Sequence, residues 1–405
     1  MPLCLCGEYY SMLNTPFSPW PSFTEEEANA VSRVLLSNKV NYWTGTESRE
    51  FEKEFAAWCG AEYAIALSNG TVALDLALKA LDIKAGDEVI ITSRTFLASA
   101  SCIATAGATP VFADVDRDSQ NITAETIAKV ITPNTKAILC VHLAGWPCEM
   151  DAIMALAEQH NLFVIEDCAQ AHGAKYKGRS VGTIGHISAW SFCQDKIMTT
   201  GGEGGMVTTN DERLWDIMWS YKDHGKSFDA VYNRQHPPGF RWLHESFGTN
   251  WRITEMQSVI GRIQLKRMVK WTEKRQAYAA AIDEVCKTIP VLRVPELPEY
   301  IEHACYKHYV FVKPEQLKEG WTRDRIIEEI NNRGVPCYQG SCSEIYLEKA
   351  FDNSGYRPIE RLPVAKELGD TSLMFLVHPT LLEREIEKTV SVIQDVMALA
   401  SITTP

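Results

Sequence analysis

The chain of 405 residues contains no C-x-x-C pair and no cysteine–histidine cluster at zinc-ligand spacing, although it has twelve cysteines scattered between Cys4 and Cys342. That pattern argues against a disulfide framework and against a metal site. Many of the cysteines lie in apolar runs, such as Cys102 in SCIATA and Cys140 in AILCVH, so the expectation is free, buried thiols in a reducing cytoplasm. Basic charge is also short, since 40 Lys+Arg against 52 Asp+Glu leave a net charge of −12. General binding of nucleic acid or of an anionic membrane needs a basic face, and neither is expected here. A few local arginines can still hold a diphosphate. No secretory leader is evident, because MPLCLCGEYY lacks a basic start and carries Glu8. The longest uncharged run, Thr95–Ala113, is broken by hydroxyls, Gly107 and Pro110. It reads as a buried helix followed by a strand, not as a membrane span. Internal repeats and low-complexity segments are absent.

What is present suits a large soluble core: 45% hydrophobic and 23% charged residues, in a chain long enough for two domains. Short apolar runs alternate with helical patterns from about residue 60. Tyr63–Leu67, Glu88–Thr92, Val111–Val115, Lys136–His142, Leu162–Glu166, Ile187–Phe192 and Met206–Thr209 read as strands. Thr71–Leu81, Leu97–Ala106 and Met150–Gln159 read as helices between them. Near-continuous apolar strands alternating with helices predict an α/β fold with a buried, mostly parallel sheet. Arg252–Val285 is long-helical, and the proline-rich PVLRVPELP (Pro290–Pro298) marks passage into a smaller α+β unit. The expected division is an N-terminal segment 1–35, a large domain 36–285 and a small C-terminal domain 286–405. Whether the N-terminal segment packs on the small unit is left open by the sequence.

Ligands of such sheets bind outside the carboxyl ends of the strands, so the residues after each strand sample one crevice. After the first strand, Ser68-Asn69-Gly70-Thr71 opens a helix. This suits a phosphate, and is equally an ordinary helix cap. After the second, Arg94-Thr95-Phe96 brings an aromatic that could stack on a flat ring or be core. Asp167 follows Leu162–Glu166, where a carboxylate is costly unless it meets a cation or donors. A protonated pyridine nitrogen is one such cation, and a structural cap is the alternative. The sixth strand delivers Ser191 and then Lys196, ahead of Gly201-Gly202-Glu203-Gly204-Gly205. A lysine between apolar strands can lose enough hydration to react with an aldehyde. The GGEGG turn lacks the spacing of a dinucleotide fingerprint.

Six segments in order, among them SNGTVAL, VHLAGWPCEMDAI, VIEDCAQAHGA, SFCQDKIMTTGGEGG and FGTNWRITEMQSVIGRIQL, resemble the DegT-type nucleotide-sugar aminotransferases. These are a family of fold-type I enzymes dependent on pyridoxal phosphate (PLP), and the likeness covers nearly the whole chain. It implies that Lys196 forms the Schiff base with PLP and shuttles the proton, and that Asp167 holds the pyridine nitrogen. Gln170 would lie near the cofactor hydroxyl and Phe96 on its ring, with Gly70, Thr71 and Ser191 on its phosphate. Asn250 would reach that phosphate from a neighbouring subunit, which makes the enzyme a homodimer with shared sites. Thr44, in the WTGTE segment, and Arg252 are the residues assigned to substrate; His172 matches a family position without an assigned role. The implied reaction is ping-pong: an amino-acid donor, glutamate, converts PLP to pyridoxamine phosphate, which aminates a nucleotide-linked keto sugar.

Three features depart from the family pattern: Gln194-Asp195 ahead of the lysine, Arg94 on the second rim, and Val335–Glu344 in place of a His-Tyr-x-Pro pattern. Arg94 could contact a substrate anion or form a surface salt bridge. The last variant is similar to bacterial surface-polysaccharide aminotransferases acting at C4 of UDP-4-keto-6-deoxy-N-acetylhexosamines. Two alternatives compete. One is a sugar 3-dehydratase, in whose relatives histidine replaces the lysine; the other is a non-catalytic regulatory homologue.

Overall fold

The computed structural model describes residues 17–402; the opening MPLCLCGEYY, with Cys4 and Glu8, lies outside them. Seven strands form the main sheet: β1 (Tyr63–Leu67), β2 (Glu88–Thr92), β3 (Thr109–Ala113), β4 (Thr135–Val141), β5 (Phe163–Asp167), β6 (Ile187–Ser191) and β7 (Gly205–Thr209). Their spatial order is β1-β7-β6-β5-β4-β2-β3. All run parallel except β7, which is antiparallel to both neighbours. β1 to β6 therefore present their carboxyl ends on one rim, and the glycine turn ahead of β7 returns to that same rim. β6 and β7 are buried along their whole length, as expected where both faces of a sheet are covered. Helices Gly70–Ala80 and Ala98–Thr105 bury Ala73, Leu74, Ala77, Cys102 and Ile103 against one face. Met150–His160 buries Ile153 and Ala157 in the core of the other face.

A second, antiparallel sheet has the order β8-β9-β11-β10, built from β8 (Leu292–Arg293), β9 (His308–Val312), β10 (Cys337–Tyr338) and β11 (Ser372–Phe375). The stretch expected to be one long helix is two, Glu255–Leu265 and Met268–Cys286. The break falls at Lys266 and Arg267, and the Arg267 guanidinium is drawn to Glu26 and Glu27. The second helix serves both sheets: Met268 packs with Phe192 and Ile197, whereas Ile282 and Cys286 lie in the core of the small sheet. The expected division at 285/286 thus falls at the end of a shared helix. The N-terminal segment also touches both parts. Ser18 N–H donates to Glu385 (2.6 Å), while Glu27 accepts from Gln264 and Arg267.

The cysteines of the described residues are free thiols and, apart from Cys193 and Cys342, buried. Three buried groups converge that sequence spacing does not bring together: His142, Glu166 and Cys168. His142 Nε2 pairs with Glu166 (2.9 Å), and its Nδ1 accepts from Cys148 N–H. Glu166 also accepts from the N–H groups of Gly182, Ile184 and Gly185. The cluster is satisfied internally and pins the end of β5 next to Asp167. No helix of the described residues is long and apolar enough to cross a membrane.

Candidate active site

The strand register assembles the crevice. Leu67 pairs with Gly205 and Gly205 with Ser191, so the ends of β1 and β6 meet across the start of β7. Asp167 pairs with Ala189, two residues before Ser191. With a side-chain period of two, Asp167 and Ser191 project to the same side.

Glycine is required twice where the first loop crosses this row. A Cβ on Gly70 would sit 2.6 Å from Ser191 Cβ, and one on Gly205 would run into the Asn69 carbonyl. Asn69 caps helix Gly70–Ala80, its side chain accepting from Val72 N–H (3.0 Å). The N–H groups of the helix's first turn and the Ser191 hydroxyl therefore share one edge, with the exposed Thr71 beside them, which is a seat for an anion.

Asp167 is buried at the end of β5. Its Oδ1 accepts from Ala169 N–H (3.1 Å) and its Oδ2 from the Ser99 hydroxyl (2.8 Å). Burial pushes its carboxyl above the usual range, against those two donors and the Lys196 charge. A buried carboxylate under that pressure suits a cationic partner. Ser99 was not foreseen from the sequence; it lies on the helix after Phe96, and its N–H donates to the Phe96 carbonyl (3.2 Å). The Phe96 ring is half exposed on this rim, so it is not core. Gln170 accepts from Ala144 N–H through Oε1 (2.8 Å), which leaves its NH2 group as the free end of the amide.

Lys196 lies in a turn after β6. Its N–H donates to the Cys193 carbonyl (3.1 Å), and its carbonyl accepts from Trp20 Nε1 (2.9 Å). The indole of Trp20 is therefore a second unforeseen member, anchoring the lysine from the N-terminal segment. Nζ lies 3.7 Å from Asp195 Oδ1 and 5.4 Å from the centre of the Tyr306 ring.

His172 is buried against Trp190 and Phe192, with neither ring nitrogen bonded among the described residues. Burial, together with the charges of Lys196 and Arg275, pushes it down to about 3, so it is neutral at working pH.

The residues assigned to substrate and to the partner make none of the contacts above, although Arg252 bridges to Leu67 at the end of β1. Thr44 is exposed, its hydroxyl on Asn41. Arg252 is half-buried. It precedes helix Glu255–Leu265 and pairs with the buried Asp223 (2.6 Å). Asn250 is exposed, and the next residues run beside β1, with Ser68 N–H donating to the Trp251 carbonyl (2.9 Å). Arg94 corrects the expectation of a surface salt bridge. It is fully buried, donates to Gln120 (2.9 Å) and Ser372 (3.2 Å), and lies over the Tyr309 ring. It bolts the end of β2 to the small sheet.

These groups fit PLP: a glycine-floored helix N-terminus with a serine for the phosphate, a buried carboxylate for a pyridinium, an aromatic face, an amide for the hydroxyl and an amine for the aldehyde. The fit rests on the Gly70–Ser191 contact and on the burial of Asp167.

The model of the DegT/DnrJ/EryC1/StrS aminotransferase family matches residues 21–394. Among solved structures, an aminotransferase from Psychrobacter cryohalolentis superposes with a TM-score of 0.94 at 68% identity, covering 95% of this chain and 99% of its own. The GDP-perosamine synthase of Escherichia coli O157:H7 is 35% identical over 90% of this chain and 94% of its own. The UDP-N-acetyl-3-dehydro-α-D-glucosamine 3-aminotransferase of Acidithiobacillus ferrooxidans is 33% identical over 94% and 96%.

Proposed function

The chain belongs to the DegT/DnrJ/EryC1/StrS aminotransferase family, and from that membership we propose that it aminates C4 of a UDP-linked 4-keto-6-deoxy-N-acetylhexosamine, with glutamate as donor, for surface-polysaccharide biosynthesis. At the coarser level it is a PLP-dependent sugar aminotransferase. The observation that supports the residue assignments is a buried carboxylate, Asp167, within electrostatic reach of an amine, Lys196, on the rim that carries the Gly70–Ser191 seat. Retention of the lysine speaks against the dehydratase reading.

When bound, PLP supplies an electron sink for the carbon that exchanges its amino group. The chain does the rest. Asp167 keeps a positive charge on the pyridine nitrogen, while Ser99 and Ala169 N–H fix the carboxylate's direction. Gly70, Thr71 and Ser191 would hold the phosphate, a grip that does not depend on the lysine. Phe96 would cover one face of the ring, and Gln170 would donate to its hydroxyl. Lys196 Nζ, on a main chain anchored by the Cys193 carbonyl and Trp20, would take and return the proton. Arg252 and Thr44 are proposed to face substrate, Arg252 only with the part of its fork not engaged by Asp223.

The nucleotide and position are the finer part of the proposal. The UDP-N-acetyl sugar named for the Acidithiobacillus relative supports that class, and the GDP sugar named for the Escherichia relative is the competing outcome. The test is to incubate the pyridoxamine-form enzyme with UDP-, GDP- and dTDP-linked keto sugars and follow return of the PLP spectrum. Return with the UDP-4-keto sugar alone is the expected result; return with another acceptor alone overturns it.

Asp167→Asn should lower the rate by on the order of 10²-fold or more, by weakening the partner of the pyridinium. The cofactor should still bind through its phosphate seat. Steady-state kinetics beside equilibrium dialysis of PLP checks both statements, and near-normal kinetics would reduce Asp167 to a turn cap.

A further inference from the structure

The acid next to the lysine is built into the site from the small sheet's side. Asp195 is largely buried, with Oδ1 3.7 Å from Lys196 Nζ. Its Oδ2 accepts a hydrogen bond from the Tyr306 hydroxyl. Tyr306 precedes β9, and its own main chain is fixed at both ends. Its N–H donates to the Ala144 carbonyl (2.8 Å), and its carbonyl accepts from Arg275 Nη1 (3.3 Å). Ala144 N–H in turn holds the Gln170 amide. One hydrogen-bonded path thus runs from the residue meant for the cofactor hydroxyl, through Ala144 and Tyr306, to the carboxylate beside the reactive amine.

Several other titratable groups face this corner. Lys307 flanks Tyr306, Glu203 comes from the glycine turn, Asp167 from the end of β5, and Arg275 and the neutral His172 from behind. Burial pushes the Asp195 carboxyl up, but Lys196, Lys307 and the Tyr306 hydroxyl together hold it below its usual value. Burial pushes Glu203 up, and repulsion from Asp195 adds to that. Of Asp195 and Glu203, Asp195 is therefore the one held as the anion.

We propose that Asp195 is a positioning residue for Lys196: its carboxylate, aimed by the Tyr306 hydroxyl, holds the proton on the lysine nitrogen and returns that nitrogen to one place after each transfer. This rests on the reading of Lys196 as the cofactor lysine. The Tyr306 hydroxyl acts on the amine through Asp195, and its ring lies 5.4 Å from Nζ, so a residue that leads into the small sheet helps to set the protonation of an amine carried by the large one.

The test separates the two readings. Borohydride reduction of the holoenzyme and peptide mass spectrometry first locate the cofactor linkage; a linkage elsewhere than Lys196 overturns the functional reading, and this proposal with it. With the linkage at Lys196, the pH midpoint of the bound cofactor's absorption change is compared between variants. Asp195→Asn keeps the side chain's shape and the acceptor for Tyr306 but loses the charge, and Asp195→Ser is the second charge-free variant. Both should lower the midpoint by about one unit or more, as loss of an opposite charge at this range does. Asp195→Glu should move it less. Adding Tyr306→Phe to Asp195→Asn should shift it no further, the non-additivity expected of one coupled pair. In cofactor-free protein, acetic anhydride labelling of Lys196 should show the same downward displacement of its pH profile. An unmoved midpoint in both charge-free variants, or an additive effect of Tyr306→Phe, overturns the proposal.

Discussion

Lys196→Ala should abolish steady-state transamination, with a fall of more than about 10⁴-fold, because a positioned acid–base group alone is worth roughly 10²–10⁴ and the covalent role is lost as well. The fold should survive. The turn that carries the residue is held by its main chain, through the Cys193 carbonyl and Trp20 Nε1, and neither bond uses the side chain. Asp195 keeps the Tyr306 hydroxyl as donor and Lys307 as counter-charge, so the deletion does not strand a bare buried anion. PLP should still bind through Gly70, Thr71 and Ser191, now without a covalent link. Three measurements check this together: turnover, the thermal unfolding midpoint, and retention of PLP after borohydride treatment and denaturation. Turnover near the parent rate would remove Lys196 from the mechanism; a collapsed unfolding midpoint would make the loss of activity uninformative.

The parts of this site legible in the sequence are those that local rules control. A parallel sheet must deliver its strand ends to one rim, so Asp167, Ser191 and the Gly70 turn could be placed in one crevice from chain order alone. The strands themselves match their apolar runs to within two residues, as for Val111–Val115 against Thr109–Ala113, because burial on both faces leaves little freedom. Partners supplied from far along the chain were not legible. Ser99 on Asp167, Trp20 on the Lys196 carbonyl and Tyr306 on Asp195 each join segments with no shared periodicity. Arg94 shows the physical reason most clearly. A charged residue after a strand is by default solvated, whereas here Gln120, Ser372 and Tyr309, brought together by the fold, meet Nε, Nη2 and the guanidinium face, and Nη1 has no hydrogen-bond partner among the described residues. The helix 252–285 fails in the same way, since the charges that hold its break lie on Glu26 and Glu27.

Whether two chains share each site is decided by Asn250. Within one chain the segment hugs β1: Arg252 bridges to Leu67, and Trp251 accepts from Ser68. That places it close to the start of its own phosphate turn, yet Asn250 itself is exposed. Just before it stand Phe240, Trp242 and Phe247, exposed to 79%, 82% and 99%. These three aromatics are the apolar surface that the proposed subunit contact would cover. A two-fold interface would make the exchange reciprocal, each chain lending Asn250 to the other. The discriminating experiment pairs Lys196→Ala with Asn250→Asp, which sets a carboxylate against the phosphate. In a mixed dimer with shared sites, one site carries both lesions and the other carries neither. After unfolding and co-refolding of equal amounts, about half the dimers are mixed, and activity should recover to roughly a quarter of the parent level under random pairing. Each variant refolded alone should stay inactive. If Asn250 instead serves its own chain, every site in the mixed dimer carries one lesion and nothing is restored. Absence of recovery from a preparation shown to contain mixed dimers would therefore assign Asn250 to the Ser68–Gly70 turn beside which its own chain runs.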